Sequence, residues 1–147
     1  MKTMTPEQFQ QTISFLLAQV GKAHRGCAEA RLTKVGLHAG QEMFLMRLWE
    51  QDGQTQSQLA GDMCIQPPTI NKMVSRMEAA GLVRREGDAE DNRITRVYLT
   101  ETGQSIVDQM QVVWSELEAQ TLANLTPDER VLLRRLLLQV QSNLTQE

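Results

Sequence analysis

The sequence has little of what staples a chain, anchors it in a membrane or gives it an overall pull on polyanions. It has two cysteines, Cys27 and Cys64, two histidines and a single tyrosine. Two thiols make no disulfide framework, and 147 residues bury roughly two-thirds of their unfolded surface without one. No apolar run approaches the ~18 residues of a membrane span; the longest, residues 131–140, is interrupted by Arg134 and Arg135. The first residues, Met1-Lys2-Thr3-Met4-Thr5-Pro6-Glu7, carry neither the apolar core nor the cleavage site of a secretion signal, so a cytoplasmic protein with reduced thiols is expected. No nucleophile elbow, phosphate loop or metal-ligand cluster is present, so no enzyme, cofactor or metal is expected. A net charge of −3 is not the basic footprint of a general nucleic-acid binder.

The apolar and capping patterns predict a mainly helical chain. Thr5 caps a first helix with Pro6 at its first position. Phe9, Ile13, Leu16, Val20, Ala23 and Cys27 then recur in steps of four and three, the seam of a helix that packs on another helix, up to Gly36. A second helix is expected from about His38 to Glu50, with Met43, Phe44, Leu45, Leu48 and Trp49 on a broad apolar side. After the Asp52-Gly53 turn, Thr55 caps a short helix, Gln56 to Met63. Pro67-Pro68 opens another that runs to about Ala80. Its two sides differ: Ile70, Met73, Val74, Met77 and Ala80 share one, and Pro68, Asn71, Lys72, Ser75, Arg76 and Ala79 the other. Gly81 ends it, and two extended segments flanking a turn-rich stretch at 87–92 form a β-hairpin. Thr100 caps a further helix, with Ile106, Met110, Val113 and Leu117 in seam register. Thr126-Pro127-Asp128-Glu129 is a capping box opening the last one, which carries Leu133, Leu136, Leu137, Val140 and Leu144.

Helix, short helix, turn, amphipathic helix, Gly-Leu-Val and hairpin follow one another in the order of a winged helix-turn-helix. In that motif the second helix of the pair enters the major groove of DNA and the hairpin reaches an adjacent minor groove. Of the fifteen basic residues, Lys72, Arg76, Arg84, Arg85, Arg93 and Arg96 fall in this span. The acids Asp62, Glu78, Glu86, Asp88, Glu90 and Asp91 fall there too. A basic face must then arise by segregation, with Lys72, Arg76 and Arg93 outward and the acids elsewhere.

The runs Thr55-Gln56-Ser57-Gln58-Leu59-Ala60, Thr69-Ile70-Asn71-Lys72-Met73-Val74-Ser75-Arg76-Met77-Glu78, Gly81-Leu82-Val83-Arg84-Arg85, Asp91-Asn92-Arg93 and Leu99-Thr100-Glu101-Thr102-Gly103 resemble the MarR family of transcription regulators. The resemblance implies a winged helix-turn-helix at 36–100, with residues 1–35 and 101–147 as N- and C-terminal dimerisation helices. It implies a homodimer on a palindromic operator of double-stranded DNA, with half-sites about one helical turn apart. Pro68, Thr69, Asn71, Lys72, Ser75, Arg76, Arg84, Arg93 and Arg96 are then the expected DNA contacts. Asp91 and Arg93 match the family's Asp-x-Arg at the wing, and Arg85 and Asp91 support the wing arginines. His38 stands where many relatives carry the Ser or Thr that caps the second helix.

The resemblance further implies a repressor released by a small anionic aromatic effector, for which His24, His38 and Arg47 are the polar anchors at hand. Thiol-based redox sensing through Cys27 or Cys64 is the alternative, although the plainer reading of both is a buried structural cysteine. A His24–Cys27 zinc pair has no strong ligand spacing behind it. A winged-helix module for protein contacts is the remaining alternative; it calls for an apolar outer face where the chain has Lys72 and Arg76.

Overall fold

The computed structural model describes residues 3–38 and 40–146. The elements run α1 (Pro6–Gln10), α2 (Ile13–Lys34), α3 (Gln41–Glu50), β1 (Gln54–Thr55), α4 (Gln56–Asp62), α5 (Pro67–Ala79), β2 (Val83–Gly87), β3 (Thr95–Leu99), α6 (Glu101–Thr121) and α7 (Pro127–Thr145). The chain divides into two compact units, residues 1–114 and 115–147.

The expected first helix is two helices. The Thr12 hydroxyl donates to the Phe9 carbonyl at 2.8 Å and accepts the Phe15 amide at 3.1 Å. It thereby ends α1 and caps α2 in one stroke, the local competition with helix hydrogen bonds that short polar side chains offer. Phe9 consequently leaves the seam and packs its ring on Phe15, with centroids 5.2 Å apart. Ile13, Leu16 and Val20 on α2 are exposed.

In the first unit the core gathers Leu32 and Leu37, Phe44, Leu45 and Leu48 of α3, Leu59 of α4, Ile70, Val74 and Met77 of α5, Val83 and Val97 of the sheet, and Val107 and Met110 of α6. Each such side chain stabilises the fold by about 1.5–3 kcal/mol relative to exposure. The inner side expected for α5 is correct except at Ala80, which is exposed. On α3 the apolar side is narrower than expected, since Met43 and Trp49 are exposed. That helix begins at Gln41, later than expected: Gly40 stands at its N-cap without a side-chain bond, and the His38 amide donates to Gln41 Oε1 at 2.8 Å.

Three helices of this unit end alike. Leu37, Ile65 and Leu82 each donate back to the carbonyl five residues earlier, and the residue before each has a positive φ: Gly36 at 84°, Cys64 at 53° and Gly81 at 78°. This is the Schellman arrangement. At α4 it places a cysteine where glycine is preferred and holds Cys64 exposed, against the expectation of a buried thiol; Cys27 is half-buried.

The hairpin expected from the sequence is joined by a third strand. β1 pairs antiparallel with β3, with Gln54 opposite Val97, and β3 pairs with β2, with Val97 opposite Arg85 and Tyr98 opposite Arg84. A two-residue strand carries no alternation to read. The buried Gln54 side chain donates to the Arg47 and Gln51 carbonyls at 2.7 and 3.0 Å, adding to the Gln51 amide bond that the Arg47 carbonyl already accepts at the end of α3.

Thr100 starts α6 as expected. Its hydroxyl accepts the Gly103 amide at 3.0 Å and donates to the Gly81 carbonyl at 2.5 Å. In the second unit, Thr126 and Glu129 form the expected capping box. Arg130 donates to the Leu122 and Leu125 carbonyls, fixing the turn before α7. None of α7 is buried, and Val131, Leu132, Leu136, Leu137, Leu138 and Leu144 are all exposed. Among the described residues no helix is long and apolar enough to cross a membrane.

The tightest approach in the first unit is at Gly103, where an added Cβ would overlap the Leu82 carbonyl oxygen and press on Leu99. Gly103→Ala is expected to destabilise the protein by about 2–3 kcal/mol, the cost of overpacking against a backbone that cannot give. Urea unfolding followed by circular dichroism measures it.

Candidate nucleic-acid interface

Helix α5 displays its polar side because its apolar side is fully engaged. Pro67 and Pro68 occupy its first positions, where a missing N–H costs nothing. Ile70, Val74 and Met77 are buried, and this leaves Pro68, Thr69, Asn71, Lys72, Ser75 and Arg76 exposed. Among the described residues neither Lys72 nor Arg76 pairs with a carboxylate.

Arg85, on β2, ties three elements together. Its Nε donates to Gln56 Oε1 at 2.8 Å, and its Nη2 to Asn71 Oδ1 at 2.9 Å, the Asn71 carbonyl at 3.0 Å and Ser75 Oγ at 3.0 Å. Its own amide donates to Glu78 Oε2 at 2.9 Å. The sheet is thus bolted to α5 and to the first turn of α4. The resemblance implied the supporting role of Arg85; sequence reasoning missed its partners Gln56 and Glu78. Nothing in their spacing marks them, because Gln56 meets Arg85 across 29 positions.

The remaining arginines of the wing carry acids with them. Arg84 pairs with Glu86 and lies over the Tyr98 ring, 4.6 Å from its centroid. Arg96 donates to Asp88 Oδ1 at 3.1 Å and to the Gly53 carbonyl at 3.0 Å, which makes it a brace between β3 and the turn before β1. Arg93 grips Asp91 through two parallel bonds, Nε to Oδ1 and Nη2 to Oδ2, each 3.1 Å, while its amide donates to the same carboxylate at 3.0 Å. Its side chain is nevertheless 91% exposed. The expected segregation of acids away from arginines is therefore replaced by pairing: Glu78, Glu86, Asp88 and Asp91 each hold an arginine of the same span. An open groove of about 350 Å³ lies between the start of α4 and the wing, lined by Thr55, Gln56, Ser57, Arg93, Ile94 and Thr95.

The three expected effector anchors each have their own surroundings. His38 lines a cleft of about 160 Å³ with Glu29, Leu32, Thr33, Leu37 and Glu42. His24 lies beside Trp114 with ring centroids 6.1 Å apart. Arg47 pairs with Glu50 at 3.3 Å while its buried Nε has no partner among the described residues. Cys27 and Cys64 are both free. Among the described residues no group of three metal-ligating side chains is assembled.

The order α3, α4, turn, α5 and a β2–β3 wing defines a winged helix-turn-helix protein. The family model described as "MarR family" matches residues 37–95, the span that holds this motif. The HTH-type transcriptional repressor Rv2887 of Mycobacterium tuberculosis is 26% identical over 125 residues, covering 85% of this chain and 90% of the relative. A mutant of MepR from S. aureus is similar in structure with a TM-score of 0.81 at 25% identity, over 91% of this chain and 99% of the other. A mutant of MarR from E. coli, solved in complex with operator DNA, is similar with a TM-score of 0.74 at 26% identity, over 90% and 96%. Over residues 37–95 the chain is thus similar to the MarR family.

The Arg93 clamp makes a titration prediction. The Arg93 side chain first, and its amide second, hold the Asp91 carboxyl below its ordinary value of 3.8, with slight desolvation opposing. The pair is therefore intact at neutral pH and is lost as acid carries Asp91 through its lowered value. Carbon-detected NMR titration is expected to place Asp91 below 3.8, and Arg93→Ala is expected to raise it again.

Proposed function

We propose that the protein is a DNA-binding transcription regulator, a repressor that binds a palindromic operator as a homodimer. The observation that carries this reading is α5. Its inner face is spent on the core, and its outer face presents Pro68, Thr69, Asn71, Lys72, Ser75 and Arg76 on a rod that the major groove, about 12 Å wide, admits. The polarity of that face disfavours a winged-helix module for protein contacts. At the wing, Arg93 is the minor-groove contact and Arg84 a flanking one. Exposed ion pairs contribute about 0–1 kcal/mol, so both exchange their carboxylates for DNA at little cost. Arg96, already held by Asp88 and Gly53, supports the wing from within.

The dimer is proposed from apolar residues that each unit leaves in water: Ile13, Leu16 and Val20 in the first, Leu132, Leu136, Leu137 and Leu138 in the second. Residues 1–35 and 101–147 are its dimerisation region and 36–100 its reading region. A twofold protein matches a palindromic site. Release by a small anionic aromatic effector completes the proposal, acting by preference for a dimer whose α5 helices are wrongly spaced. Arg47, whose buried Nε has no partner among the described residues, is a better anchor for an anion than His38, whose cleft holds Glu29 and Glu42, or His24. The exposure of Cys64 supports one second reading, a thiol-sensing repressor, in which peroxide would lower both titratable thiol and DNA affinity.

A gel shift across a salt series, with duplexes from the protein's own upstream region, tests the main reading. Sequence-specific binding at micromolar protein or below, weakening as salt rises, is expected; no preference among duplexes at low salt overturns it. Arg93→Ala is expected to weaken specific binding by about 1–3 kcal/mol, and Lys72→Ala to weaken all sequences alike and lower the salt slope by about one. In sedimentation velocity the chain is expected to run as a dimer and Leu137→Asp to shift it towards monomer.

A further inference from the structure

We infer that Arg85 is a positioning residue for base selection: by bonding to the side-chain oxygens of Asn71 and Ser75 it turns the donor end of Asn71 outward, so that Asn71 reads guanine and not adenine. The inference rests on the DNA-reading role proposed for α5.

An asparagine amide has a donor end and an acceptor end, and its neighbours decide which end stays available. Asn71 Oδ1 accepts from Arg85 Nη2 at 2.9 Å and from Gln56 Nε2 at 3.4 Å. Gln56 is itself held in that orientation, because its Oε1 accepts from Arg85 Nε at 2.8 Å. Turning the Asn71 amide over would set its NH2 against the guanidinium N–H groups, donor against donor beside a positive charge. Glu78, whose Oε1 lies 3.5 Å from Arg85 Nη1, holds the guanidinium in place from its other side. The NH2 of Asn71 is therefore the end left for a ligand. Ser75 follows the same logic, since its Oγ accepts from Arg85 Nη2 at 3.0 Å and its hydroxyl proton remains to donate. Lys72 and Arg76, exposed on the same face, have only donors.

Asparagine recognises adenine by using both ends at once, accepting from N6 and donating to N7, whereas guanine presents two adjacent acceptors, N7 and O6. An Asn71 with its acceptor occupied meets the N6 amino group of adenine donor to donor and meets guanine with its polarity matched. The base preference of the helix is thus set from the neighbouring β2 strand, by a side chain that need not touch the base.

Enrichment of duplexes from a randomised pool by the full chain, followed by affinity measurements on single-base variants, tests this. The enriched half-site is expected to contain a guanine whose preference disappears in Asn71→Ala. Adenine at that position is expected to weaken wild-type binding about tenfold, the scale of one good base contact. In Arg85→Met the amide is free to turn, and the guanine-to-adenine ratio there is expected to fall to about twofold while the preferences at other positions persist. Arg85→Lys, which keeps the charge without the fork, gives the same readout if Arg85→Met does not fold by circular dichroism. Any base other than guanine at the Asn71-dependent position, or an Arg85 variant that weakens all sequences equally and keeps the guanine preference, overturns the inference. Absence of any enriched sequence overturns the DNA-reading role itself.

Discussion

The candidate interface depends on one guanidinium. The Arg85 head bonds to Gln56 at the start of α4 and to Asn71 and Ser75 on α5, while its own strand carries the wing. Arg85 provides five donors in a rigid fork. A lysine has the charge but not the geometry to bridge three elements at once. Because the bonded side chains lie on the face that α5 presents, the same contact that fixes the wing against the helix also decides which of their atoms remain for a ligand. One set of hydrogen bonds thus joins the strand to the helix and orients the side chains on its outer face.

The charge arrangement follows a related economy. A chain with net charge −3 cannot rely on a broad positive field, and its wing arginines are each matched by an acid. Such exposed pairs add little to stability, yet they orient long flexible side chains before any ligand arrives. Arg93 is the clearest case: clamped through two parallel bonds to Asp91, it is still 91% exposed. Lys72 and Arg76 differ, since among the described residues no carboxylate competes for them. On the outer face of α5 the positive charge of Lys72 and Arg76 is therefore not offset by an ion pair, whereas that of the wing arginines is.

Outside the motif, the helices of each unit place apolar residues in water that a lone chain does not cover. Val131 and Leu144 of α7 and Ile13 of α2 are more than two-thirds exposed. Seams in steps of four and three, with nothing buried on α7, are the pattern of helices that pack on a further helix.

Much of this was legible in the residues themselves. Caps at Thr5, Thr55, Thr100 and Thr126, the opening of α5 at Pro67-Pro68 and its stop at Gly81 are local physics: each is decided by hydrogen bonds within a few residues, so neighbouring letters suffice to place them. The two faces of α5 were legible for the same reason, since helical periodicity alone sorts them. Thr12 was a local signal too, though a quiet one, where a single hydroxyl outweighed an otherwise continuous apolar repeat. What the tertiary structure decided is where long side chains end. Gln56 reaches Arg85 across 29 positions and Gly53 reaches Arg96 across 43; a two-residue strand finds β3; four acids close on four arginines. The sequence by itself determined the motif and the face it presents, because these rest on periodicity and caps. The partners of each arginine and asparagine on that face were decided only by folding, because a guanidinium or amide on a flexible stem takes its partner from whatever the packed elements bring within about 3 Å.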